Sequence, residues 1–65
     1  MIIERHKFLL LAVPFPVEWT VEATDPLRAE EKARREIKRH IGLDTGKVIE
    51  HELISTREVG KELKQ

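Results

Sequence analysis

At 65 residues the chain has room for one hydrophobic core and no second domain, and its 12 Lys and Arg against 12 Asp and Glu leave no net charge to draw the whole molecule onto nucleic acid or a membrane surface. Cysteine is absent, which rules out disulfide stapling and fits the reducing cytoplasm. Charged residues make up 37% of the chain while Asn is missing and Gln occurs once, a bias that resembles the ion-pair-rich composition of thermophile proteins.

Arg5 and Lys7 ahead of an apolar run imitate the start of a secretory signal, but Pro14 and Pro16 interrupt the run and cleavage after Ala23 would leave a cysteine-free chain near the lower limit for unaided folding. No stretch approaches the roughly 20 apolar residues that a helical membrane span requires. A cytoplasmic protein without membrane contact is the expectation.

The first predicted element is the strand Phe8 to Val13. All six residues are apolar, so both of its faces need cover and it belongs in the middle of a sheet. Pro14-Phe15-Pro16 is no two-residue hairpin turn, and its prolines donate nothing to a ladder, so this connection should bulge outward. In the second strand Val17, Trp19, Val21 and Ala23 alternate with Glu18, Thr20 and Glu22, the pattern of one buried and one wet face.

The helix is predicted over Pro26 to Ile41. Asp25 caps it, Pro26 suits a first position that needs no amide hydrogen, and Gly42 takes the left-handed conformation that closes it. At about 100° per residue Ala29, Ala33, Ile37, His40 and Ile41 share the core side, with Glu30 and Arg34 paired at its margin. A third strand follows from Lys47 to about Thr56. Its register is ambiguous, because Val48, Ile49, Leu53 and Ile54 surround the charged Glu50, His51 and Glu52.

Strand, strand, helix, strand gives an α+β fold of β-β-α-β order. A hairpin followed by a right-handed crossover places the third strand antiparallel to the first, in a three-stranded sheet of order 2-1-3 with one helix on one face and Trp19, Val21, Ala33 and Ile37 in the core. The domain covers residues 1–56, and residues 57–65 form a charged tail, frayed or a single helical turn. One helix covers one sheet face only. The doubly apolar run therefore points to self-association as a dimer through the uncovered sheet face or an edge, with Phe8, Leu9, Leu10, Leu11 and Val13 forming the dimer core, or to another protein docked on the same surface.

Catalysis finds little to work with. Asp44-Thr45-Gly46 matches the aspartic-protease triplet, but it sits in a helix-to-strand turn of a chain too small for a covered cleft. Thr45-Gly46-Lys47 evokes a phosphate loop and fails on its spacing from Gly42, on Val48 where a hydroxyl must reach magnesium, and on the strand that follows. His6, His40 and His51 stand at no ligand spacing, although His6 and His51 lie on strands expected to be neighbours and a cross-strand pair is conceivable. Ser55 has no base beside it. No enzyme activity, cofactor or metal is expected.

The helix's outer face carries more. Arg28, Lys32, Arg35, Lys38 and Arg39 fall opposite the core with only Glu31 among them, a local excess of positive charge in a neutral chain. The bland alternative is a solvated face on which Glu31 pairs with Arg35. Strand-strand-helix-strand with a basic helix is similar in outline to several small ribosome-associated and RNA-binding domains, without their fingerprint residues. The expectation is a small non-catalytic binding module that self-associates and binds RNA or DNA weakly and without sequence preference through this face. Phe15, held between prolines, either inserts into a partner or folds back on the core.

Overall fold

The structure, a computed structural model, describes residues 1–59. Strand β1 spans Ile2–Ala12, β2 Val17–Ala23, helix α1 Pro26–His40 and β3 Thr45–Glu58. The sheet order is β2-β1-β3 with both pairings antiparallel, and the helix lies across one face. This is the α+β arrangement expected from the sequence. Two elements are longer than expected: β1 starts six residues earlier, at Ile2 instead of Phe8, and β3 runs from Thr45 to Glu58 instead of Lys47 to Thr56.

The two extensions are one feature. Ile2 pairs with Glu58, Ile3 with Arg57 and Glu4 with Thr56, so each strand supplies the partner for the other's additional residues. Strand β3 thus continues through residues 57 and 58 of the expected charged tail, and residues 60–65 of that tail lie outside the described residues.

Alternation along β1 sorts its residues by face. His6, Phe8, Leu10 and Ala12 are buried beneath the helix, whereas Arg5, Lys7, Leu9 and Leu11 look outward. Val17 and Val21 of β2 and Ala29, Ala33 and Ile37 of α1 complete the core, with Trp19, Ala23, Leu43 and Val48 packed at its edge. The alanines at positions 29 and 33 bring the helix axis close to the sheet, and full burial of Phe8, Leu10 and Ile37 contributes about 1.5–3 kcal/mol each. Trp19 lies half-buried beside this core, its indole N–H donating to Glu36 at 2.9 Å.

The helix is stopped at both ends by the residues that its sequence offers. The amide of Arg28 donates to Asp25 Oδ1 at 2.8 Å, and the amides of Ile41 and Gly42 both reach the Ile37 carbonyl. Gly42 has φ +86°, the left-handed region that favours glycine. Arg34 pairs with Glu30 at 2.7 Å, as the i,i+4 spacing requires, and its guanidinium also donates to the carbonyls of Thr45 and Gly46.

The helix sits over β2 and β1 and barely reaches β3. As a result β3 is exposed along almost its whole length, with Leu53, Ile54 and Ile49 among the exposed apolar residues. Its pairing to β1 is interrupted between Arg5 and His6, between Leu9 and Leu10, and between Leu10 and Ala12, so the register of this strand that the sequence left open contains bulges.

Candidate nucleic-acid interface

Four of the five basic residues expected on the helix's outer face share one flank. At 100° per residue Arg28, Lys32, Arg35 and Arg39 fall within an arc of about 60°. This flank lies on the β2 side, as the Lys32 Nζ bond to the Glu22 carbonyl at 3.0 Å and the Glu36 bond to the Trp19 indole show. Lys38 lies on the other flank, where it pairs with Asp44 at 3.0 Å. The stripe runs roughly 16 Å along the helix at 1.5 Å per residue, the axial rise of about five nucleotides of one strand at 3.4 Å each.

Partners divide the stripe further. Arg28 is tied to the capping Asp25 at 3.2 Å and Lys32 to a backbone carbonyl, whereas Arg35 and Arg39 meet no carboxylate among the described residues. The Glu31–Arg35 pair of the bland alternative is not formed. Near the end of the stripe the exposed imidazole of His40 stacks on Trp19 with centroids 6.1 Å apart, so the core-side position that the helical period gave this histidine becomes an exposed one at the flank.

Opposite charge collects on the outer face of the sheet, where it is largely internally matched. Lys7 stands between Glu18 at 3.2 Å and Glu52 at 3.6 Å, and Glu22 accepts from Arg5 at 2.8 Å and from Arg57 at 2.9 Å. The hydrogen bond to Glu18, with the charges of Glu18 and Glu52 behind it, holds the Lys7 ammonium above its ordinary pKa of 10.5. Hydrogen bonds from Arg5 first and Arg57 second hold the Glu22 carboxyl below its ordinary 4.5. A shallow depression of about 400 Å³ lies among Lys7, Leu9, Glu18, Glu50 and Glu52.

This network changes the reading of the apolar run. Phe8 and Leu10 are core residues under the helix and offer no surface to a partner, Val13 lies beyond the strand in the exposed connection, and only Leu9 and Leu11 remain on the outer face. The helix covers one face of β1; on the other, ion pairs flank the half-buried Leu9, and Leu11 stays 45% exposed. Phe15 is more than half exposed in that same connection.

Sequence spacing missed one arrangement, although the neighbouring strands hinted at it. His6, 1% exposed, places Nδ1 2.6 Å from Nε2 of His51 and Nε2 2.8 Å from Glu4 Oε1. The His51 ring in turn stacks on Phe8 at 4.5 Å and 8°. Each nitrogen of His6 is engaged by one neighbour, and no set of three metal-ligating side chains gathers among the described residues.

No protein-family pattern matches the chain, and comparisons with curated proteins and with solved structures find no significant similarity.

Proposed function

We infer that this chain is a small non-catalytic binding module whose ligand is an anionic polymer, RNA or DNA, held along the helix flank of Arg28, Lys32, Arg35 and Arg39. The observation that carries this reading is the stripe, in which two guanidiniums meet no carboxylate among the described residues, while Glu18, Glu22 and Glu52 of the outer sheet face already hold partners. Each basic group neutralises a phosphate and releases condensed counterions. The sequence offers no identifiable base-reading motif, so the reading is of contacts that orient the polymer and leave its sequence unread. The cysteine-free composition suits the cytoplasm, where nucleic acid is at hand.

A salt titration of binding to mixed-sequence single-stranded RNA and duplex DNA tests this reading. With four phosphates neutralised, log K falls against log salt with a slope of about −3.6 for duplex and about −2.8 for single strands. Arg35→Glu and Arg39→Glu each abolish most of the binding, whereas Lys38→Glu, on the far flank, has a much smaller effect. Absence of binding at low salt, or equal loss for Lys38→Glu and Arg39→Glu, refutes the helix-flank assignment.

A further inference from the structure

We propose that two copies of this chain associate through the free edge of β3, pairing antiparallel about a two-fold axis between Leu53 and Ile54, with Glu50 of each copy opposite Arg57 of the other. Of the sheet face and the edge, the proposal selects the edge: Phe8 and Leu10 are buried under the helix, whereas nothing in the described chain covers the free side of β3.

The two edges of the sheet differ. β2 is seven residues long, and the Lys32 ammonium is bonded to its Glu22 carbonyl. β3 is fourteen residues long, pairs on one side only, has no proline and carries Ile49, Leu53 and Ile54 exposed in its middle. A long edge of that kind presents a row of unpaired backbone donors and acceptors that template another strand.

Face parity selects the register. Glu50, Glu52, Ser55 and Arg57 of β3 stand opposite Leu9, Lys7, Arg5 and Ile3, on the outer face. Val48, His51, Leu53 and Thr56 stand opposite Leu10, Phe8, His6 and Glu4, on the helix face. The register shift between Arg5 and His6 inserts one additional residue, so positions before and after it have opposite parity. An antiparallel pairing that straddles this bulge keeps each face matched only when the two residue numbers sum to an odd value.

Centring the pairing on the bulge sets Glu50 against Arg57, His51 against Thr56, Glu52 against Ser55 and Leu53 against Ile54, which is face-matched at every flanking position. Glu50 has no ion pair among the described residues, and this register brings it opposite Arg57, whose guanidinium bonds Glu22 through Nη2 at 2.9 Å and keeps further N–H donors for a second carboxylate. Leu53 and Ile54 of both copies meet at the axis. The bulges of the two strands coincide there, so their kinks match. The resulting interface is isologous and closes at two copies, as a two-fold requires. It leaves both helix stripes free, so it stands independently of the nucleic-acid reading.

The test is sedimentation equilibrium of the full, nucleic-acid-free chain from micromolar to millimolar concentration, with charge-reversed variants. The expected result is reversible dimerisation, weakened at least about tenfold by Glu50→Arg or by Arg57→Glu alone and restored by the two together. Arg35→Glu leaves it unchanged. Amide exchange of the wild-type chain provides a measurement that does not depend on variants folding: protection across residues 50–57 rises with protein concentration. A monomer at millimolar concentration, a dimer indifferent to the single reversals or not restored by the pair, or concentration-independent exchange across 50–57 overturns the proposal.

Discussion

His6 and His51 share a single hydrogen bond between facing ring nitrogens 2.6 Å apart, and the carboxylate of Glu4, 2.8 Å from the other nitrogen of His6, fixes which way the buried ring faces. An ionised carboxylate only accepts, so His6 Nε2 carries the hydrogen directed at Glu4 and one further hydrogen serves the gap between the rings. Replacing either histidine by leucine strands a polar partner. His51→Leu leaves a buried nitrogen of His6 unmatched and costs about 1–3 kcal/mol. The double replacement His6→Leu with His51→Leu removes that orphan and costs less than the sum of the two singles. A urea-denaturation double-mutant cycle measures the difference, and strict additivity would show that the rings do not act as a pair.

The pH dependence of stability follows from Glu22. Its folded-state pKa is depressed by Arg5 and Arg57, so the unfolded chain binds more protons in the acid range and the stabilisation is present above the ordinary carboxyl pKa of 4.5. It is lost as pH falls through the lower folded value. Arg5→Ala should return the Glu22 carboxyl toward 4.5 in a carbon-13 NMR titration and flatten the acid limb of stability against pH. Lys7 has the opposite sign: raised by Glu18 and Glu52, it contributes fully below 10.5 and loses its contribution as pH rises through the higher folded value. An acid limb unchanged by Arg5→Ala would mean that the exposed pairs are fully screened.

The close approach of helix to sheet rests on Ala33, which has no exposed surface. Ala33→Leu forces additional volume into the tightest contact and should cost about 1–3 kcal/mol by overpacking. Ile37→Ala opens a cavity at the same interface and should cost about 2–5 kcal/mol. Thermal denaturation of both variants checks the pair. A stabilised Ala33→Leu would place the helix farther from the sheet than described here.

Residues whose role depends on a chain neighbour were legible in the sequence, and residues whose role depends on a spatial partner were not. Asp25, Pro26 and Gly42 mark the helix because capping is local, and the sheet order followed from the unbroken apolar run of β1. The first half of β1 was missed because Glu4, Arg5, His6 and Lys7 read as a break. In the fold they continue the same alternation, with His6 tolerated inside because Glu4 and His51 satisfy it. Lys38 widens the basic arc to about 120°, and Asp44, from the turn after the helix, holds its ammonium on the flank away from the other four. The ion pairs of Lys7, Arg5 and Arg57 with the glutamates of the neighbouring strands are spatial in the same way, and no spacing along the chain announces them.

Arg34 is the polar clasp between the helix and the otherwise uncovered β3. Its Nη1 donates to the Thr45 carbonyl at 3.3 Å, to the Thr45 hydroxyl at 3.1 Å and to the Gly46 carbonyl, while Nε and Nη2 grip the Glu30 carboxylate at 3.2 and 2.7 Å. These bonds hold the first residues of β3 where the β1 ladder is irregular, between Leu10 and Ala12. Lysine cannot reproduce the planar fork, so Arg34→Lys keeps the charge and loses the geometry. Hydrogen bonds to a charged group are worth roughly 1.5–3 kcal/mol each, which sets an upper scale for a side chain one-third exposed. Arg34→Lys should therefore lower global stability by about 1 kcal/mol and speed amide exchange selectively across residues 45–48. The far end of the strand, where Thr56, Arg57 and Glu58 pair with Glu4, Ile3 and Ile2, should keep its protection. Uniform acceleration along the whole of β3 would show that the strand opens as one unit and that the clasp has no local role.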